Sequence, residues 1–194
     1  MVAVPSTMLA LGTPAPRFSL PDVVSGRQVS IDDLRGQKAL LVMFISRHCP
    51  YVQHVKDQLA AISRDYAGKP VGIVGVSSND VANYPEDAPA RLRAAASEWG
   101  WQFPVCYDET QDVAKAYSAA CTPDFFLFDG DGTLAYRGQL DDSRPGNGKP
   151  VDGKDLRRAI DSLLAGGRPV ADQRASIGCN IKWKKGNEPA YFPR

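Results

Sequence analysis

The sequence predicts an α/β fold built on parallel strands, and three neighbouring segments predict it. Ala39 to Ile45 is a nearly unbroken apolar run, the mark of a strand buried on both faces. Tyr51 to Tyr66 then carries Val52, Val55, Leu59 and Ile62 at helical spacing, and Val71 to Val76 is a second apolar run. Strand, helix and strand in that order form a βαβ unit, whose strands run parallel. A chain of 194 residues with 43% apolar content can bury one sizeable core. The expectation is a single domain over 1–194, with its body at about 11–166 and an extended C-terminal tail at 167–194.

The remaining elements follow in chain order. Arg17 to Leu20 and Arg27 to Ile31 flank Ser25-Gly26 and predict a short N-terminal hairpin, which leads to a capped turn at Asp32-Asp33-Leu34-Arg35-Gly36. Ala88 to Trp99 predicts a helix on propensity. Phe103 to Tyr107 reads as a short strand, and Thr110 to Ser118 as a helix with Val113 and Tyr117 inward. Phe125 to Asp129 and Leu134 to Gly138, around Gly130-Asp131-Gly132, predict an antiparallel hairpin. Asp155 to Leu164 reads as a last amphipathic helix stopped at Gly166-Gly167, and the tail beyond it is expected to wrap on the body.

Composition narrows the function. Twenty-three basic residues against 22 acidic ones leave a net charge of +1, and no basic stripe with interleaved aromatics tracks a phosphate backbone, so nucleic acid is not an expected partner. Met1 to Thr7 lacks the basic start and apolar run of a secretion signal. No stretch approaches the ~20 apolar residues that cross a bilayer. The expectation is a cytoplasmic protein without a membrane partner. Four cysteines are too few to staple a small scaffold and too scattered for paired zinc knuckles, so in a reducing compartment they are core thiols or redox thiols.

Cys49 stands out among them. It lies where the Ala39–Ile45 strand gives way to a helix, and at a helix's first turn the free N–H groups and the macrodipole favour a thiolate over the ~8.5 of a free cysteine. Pro50 suits the first helical position, where its missing donor costs nothing. His48 is the neighbouring group expected to help ionise Cys49. A bare packing cysteine is the plainer alternative, and strand-end placement, Pro50 and His48 weigh against it. Cys106, in a predicted buried strand, reads as core.

Three segments together resemble the thioredoxin superfamily, and more closely its peroxiredoxin-like, or redoxin, branch with a single cysteine at the thioredoxin position. They are Arg47-His48-Cys49-Pro50-Tyr51-Val52, Cys121-Thr122-Pro123-Asp124-Phe125-Phe126-Leu127-Phe128-Asp129 and Gly178-Cys179-Asn180-Ile181-Lys182-Trp183. The resemblance implies a thioredoxin-like fold, a central mixed sheet with helices on both faces, and Thr122-Pro123 as a cis-proline turn facing Cys49. Backbone groups beside such a turn can hold an extended substrate strand near the sulfur.

Two departures from the family pattern bear on mechanism. Thioredoxins carry a resolving cysteine three residues after the first and a buried acid six residues before it, where this chain has Val52 and Met43. Peroxiredoxins carry proline and threonine seven and three residues before the peroxidatic cysteine; counted back from Cys49 those positions are Val42 and Ser46. Neither a standard disulfide reductase nor a standard peroxidase site is present. The fold that the resemblance implies brings Cys121 near the start of the nucleophile's helix, which makes it the first candidate to resolve Cys49. Cys179 in the tail is the alternative, with packing beside Ile181 and Trp183 as its plainer role.

Two other motifs are weaker. Asp129-Gly130-Asp131-Gly132-Thr133 resembles the first motif of haloacid dehalogenase phosphatases, but Leu134 to Arg137 continues as a strand where that family needs a helix, so a polar turn is the better reading. His48 and His54 around Cys49 suggest copper or zinc, yet His54 lies five residues beyond Cys49 inside the helix, and no metal site and no cofactor are expected. The chain is thus expected to do thiol redox chemistry, with Cys49 exchanging with a protein or low-molecular-weight disulfide or reducing a peroxide. Cys121, Cys179 or an external thiol then resolves it. The alternative is a redox-sensing or peptide-binding module that holds extended segments at Thr122-Pro123 without turnover.

Overall fold

The computed structural model describes residues 3–34 and 36–192. Arg35 of the expected turn and Met1 and Val2 of the N-terminal reading lie outside them. In chain order the elements are β1 (Ala3–Pro5), β2 (Ser19–Pro21), β3 (Gln28–Ser30), β4 (Ala39–Phe44), α1 (Pro50–Asp65), β5 (Val71–Ser77), α2 (Pro89–Glu98), β6 (Val105–Tyr107), α3 (Asp112–Ala116), β7 (Cys121–Thr122), β8 (Asp124–Asp129), β9 (Leu134–Gly138), α4 (Lys154–Leu164) and β10 (Ile177–Asn180). The fold is thioredoxin-like: a mixed five-stranded sheet in the order β6-β5-β4-β8-β9, with helices on both faces. β4, β5 and β6 run parallel, while β8 is antiparallel to both β4 and β9.

β4 lies at the centre, with all six residues buried. The side-chain period of two sends Leu41 and Met43 into one core with α1, α2 and α4, and Leu40, Val42 and Phe44 into the other with α3. Ile181 and Trp183 of the tail close that second core, where Tyr117 meets the rings of Phe44, Phe126 and Phe128 edge-on. Asp129 ends β8 and accepts the N–H groups of Asp131 and Thr133, so the acid of the phosphatase-like motif shapes a hairpin turn.

The tail does more than wrap. β10 lies between β1 and β7 in a second, antiparallel sheet, with Cys179 opposite Thr122 and Asn180 opposite Cys121. Gly178 permits the approach, because a Cβ there would sit 2.0 Å from the Thr122 carbonyl oxygen. Neighbouring residues on a strand face opposite ways, so Cys179 and Thr122 share one face, and Cys121 turns to the other with Val4 and Ala120. Among the described residues no helix is long and apolar enough to cross a membrane.

Replacing Gly178 with alanine forces β10 away from β7. We expect a stability loss of about 1–3 kcal/mol, the usual cost of overpacking, measured by urea unfolding. Wild-type stability for Gly178→Ala would show that the close approach does not govern the second sheet.

Candidate thiol redox site

Cys49 is the N-cap of α1, in an extended conformation with φ −74° and ψ 120°. A residue before proline is pushed toward such angles, so Pro50 sets both the helix start and the backbone of Cys49. The thiol is fully buried, 3.0 Å from the Thr122 carbonyl oxygen, and the Thr122–Pro123 peptide is cis. The second sulfur at the site belongs to Cys179. Its thiol hydrogen-bonds the sulfur of Cys49, which is the largest cause lowering the Cys49 pKa to about 6. Burial opposes this shift, and the Thr122 side chain and the N–H groups of Val52 and Cys179 reinforce it. The Val52 N–H favours a negative sulfur without making a capping hydrogen bond to the thiol.

One proton is therefore unevenly shared. The hydrogen bond to Cys49 and burial push Cys179 far above the ordinary thiol range, so this pair holds a thiolate at position 49 and a thiol at position 179. Cys121, the first candidate in sequence, has its Sγ 3.6 Å from the Pro123 carbonyl oxygen, and burial followed by Asp124 and Cys49 raises its pKa well above the usual value. It reaches the right end of the sheet, and the pleat points it away. Burial, then Asp22, pushes Cys106 up to about 12, as suits a core thiol.

His48 does not turn to the sulfur. It stacks on Tyr84 at 5.5 Å, and its Nδ1 lies 2.6 Å from Asp87, so that nitrogen carries the proton facing the carboxylate. Asp87, the fully buried last residue of the short turn Pro85–Asp87, organises the segment before Cys49. It accepts from the Arg47 N–H at 2.6 Å, the Ser46 hydroxyl at 2.9 Å and the Asn79 amide at 2.6 Å. Burial raises its pKa, but the donors His48, Asn79 and Ser46 together outweigh it and leave the carboxyl below its ordinary value. His54, four residues into α1, faces another cleft, so the two histidines do not converge.

Lys182 completes the charge pattern. It is 7% exposed, with its ammonium 2.6 Å from the Asn180 side-chain oxygen and 5.7 Å from the Tyr84 ring centre. Burial lowers its pKa, and the negative charge shared by the Cys179–Cys49 pair, with that of Asp87, partly restores it. The backbone of Lys182 is pinned by Asn79, Asp80 and Gln111, which fixes where the cation stands. Sequence reasoning missed both Asp87 and Lys182. Asp87 follows a stretch legible only as a polar loop, while a lysine inside the apolar run of Ile181 to Trp183 was a usable signal.

The profile of the redoxin family matches residues 10–155. The chain belongs to that family, within the thioredoxin superfamily. It is similar to an uncharacterised conserved protein from Geobacillus kaustophilus, with 51% identity, 95% of this chain and 97% of that one covered, and a TM-score of 0.93. The thioredoxin domain of a thiol-disulfide oxidoreductase from Bacteroides vulgatus shares the fold at 22% identity, with coverage of 77% and 97% and a TM-score of 0.59. The FixW protein of Rhizobium leguminosarum is 26% identical over 143 residues, which span 70% of this chain and 63% of FixW. Membership of the redoxin family supports a thioredoxin-like redox function, and the Bacteroides structure bears on the fold alone.

Two expectations follow from the site. Alkylation of Cys49 should rise with pH about a midpoint near 6 and fall away below it, because lowering the pKa extends the thiolate to lower pH. In a pH series with mass-spectrometric readout, earlier reaction of Cys106 or Cys121 would reverse this ranking. Asp87→Ala strips an acceptor from four neighbouring residues and should cost about 3 kcal/mol in chemical denaturation, where a loss under about 0.5 kcal/mol would deny it an organising role.

Proposed function

We propose that the chain is a dithiol oxidoreductase whose redox pair is Cys49 and Cys179. The observation that carries this reading is the hydrogen bond between their two sulfurs inside a buried site. Cys49 thiolate attacks a disulfide, forms a mixed disulfide with one half and releases the other half as a thiolate. Cys179 then loses its proton and attacks the Cys49 sulfur, releasing the second half and closing a Cys49–Cys179 disulfide. Two equivalents of an external thiol restore the pair. With a peroxide, Cys49 becomes a sulfenic acid, and condensation with the Cys179 thiol releases water and gives the same disulfide.

The lysine beside the pair supports this cycle, since a fixed cation favours negative charge on either sulfur as the exchange proceeds. Substrates are protein or low-molecular-weight disulfides, or peroxides, and the cysteine usage suits a reducing compartment such as the cytoplasm. Burial supports a second reading. Cys49 is 0% and Cys179 3% exposed, and β10 occupies the backbone edge that an extended substrate would use, so oxidation without turnover would make the pair a redox sensor. Repeated cycling with an external thiol separates an enzyme from a sensor.

Peptide mapping without reductant, after mild oxidation, tests the pair. A Cys49–Cys179 bond should dominate in the wild type and in Cys121→Ser, while Cys179→Ser should stop at a mixed disulfide or sulfenic acid on Cys49. A dominant Cys49–Cys121 bond in the wild type would refute the pairing.

A further inference from the structure

A small cleft borders Pro123 and is lined among others by Tyr51, His54, Ser143, Arg144 and Ile177. Three of its residues carry buried polar atoms with no hydrogen-bond partner among the described residues: His54 Nε2, Ser143 Oγ and Arg144 Nε. Ser143 is only 3% exposed, so its hydroxyl is withdrawn from water. Leaving such groups unpaired costs about 1–3 kcal/mol each, and three of them border one cleft.

The arginine sets the chemistry. Its Nη1 donates to the carbonyl oxygens of Asp141 at 2.8 Å and Ser143 at 2.6 Å, and its Nη2 to the Gln139 side-chain oxygen at 2.8 Å. All three acceptors are neutral, and Arg144 makes no ion pair among the described residues. The carboxylate of Asp141 is committed to the N–H groups of Ser143, Asp152 and Gly153 at 2.7–2.9 Å. The guanidinium is thus held along one edge, with its charge unneutralised and its Nε free.

We infer that this cleft is a carboxylate subsite, which binds the acid group of a low-molecular-weight disulfide or thiol whose sulfur then faces Cys49. Its volume of about 20 Å³ takes a group the size of one water, such as a single carboxylate oxygen. The rest of the ligand projects outward past Ile177, which is 39% exposed. Pro123 forms one wall, and the adjoining Thr122 touches Cys49, so the subsite and the nucleophile flank the same two residues. The inference rests on the redox reading for its substrate, while its test needs no turnover.

The Cys49→Ser, Cys179→Ser protein, full length and lacking both sulfurs of the pair, is titrated by calorimetry with dithiodipropionate and, separately, with the neutral hydroxyethyl disulfide. The acid should bind at least about tenfold more tightly, a difference of about 1.4 kcal/mol. Arg144→Met and Ser143→Ala should each erase most of that preference while leaving affinity for the neutral disulfide unchanged, and Arg144→Lys should keep part of it. Equal affinity for the two disulfides, no binding of the acid, or equal loss of both ligands in Arg144→Met and Ser143→Ala would overturn the subsite. Failure of the redox reading would appear instead in the peptide maps of the reactive protein.

Discussion

The site depends on the pairing of a tail strand with the two-residue strand before a cis-proline. β10 reaches β7 only because residue 178 lacks a side chain, and its register leaves no freedom about which residue faces inward. With Cys179 opposite Thr122, the pleat turns both toward Cys49 and sends Cys121 away. A slip of β10 by one residue would turn Cys179 away from Cys49 and set Asn180 or Gly178 opposite Thr122 in its place. β1 pairs with the other edge of β10, so the N-terminal segment helps hold the tail strand in this register.

Electrostatics then give the pair its asymmetry. The helix start, the Cys179 thiol and the Thr122 side chain favour negative charge at position 49, while Cys179 keeps its proton. Two buried charges stand close by and are fixed by different parts of the chain. Asp87 spends its oxygens on the segment before Cys49, and Lys182 is carried by the segment after Cys179. The arrangement differs from a helical-turn cysteine pair. Val52 is fully buried one turn into α1, and Met43 is core, so the second thiol and its electrostatic support both come from the tail.

Much of this was legible in the sequence. The apolar runs and helical spacing located β4, α1 and β5 to within about a residue, and the motif around Cys49 carried the fold family. The short elements were harder. α3 occupies Asp112–Ala116 inside the longer Thr110–Ser118 helix expected, and β1 and β10, of three and four residues, carry too little pattern to register alone. Cys121 ranked above Cys179 because proximity along the fold was readable and side-chain direction was not. The position next to the proline, Thr122, takes the inward face, and parity along the strand then assigns Cys121 outward. The charged partners Asp87 and Lys182 depend on contacts across long sequence separations, which no local pattern encodes.

If the two sulfurs form one redox pair, Cys49 and Cys179 change redox state together. Carbon-13 chemical shifts at the cysteine β-carbons, followed through a redox titration of the wild-type protein, test it most directly, since they report each sulfur separately. The signals of Cys49 and Cys179 should move at one common potential with two-electron behaviour, while Cys106 and Cys121 stay in their thiol positions. Joint movement of Cys49 and Cys121, with Cys179 unchanged, would contradict it.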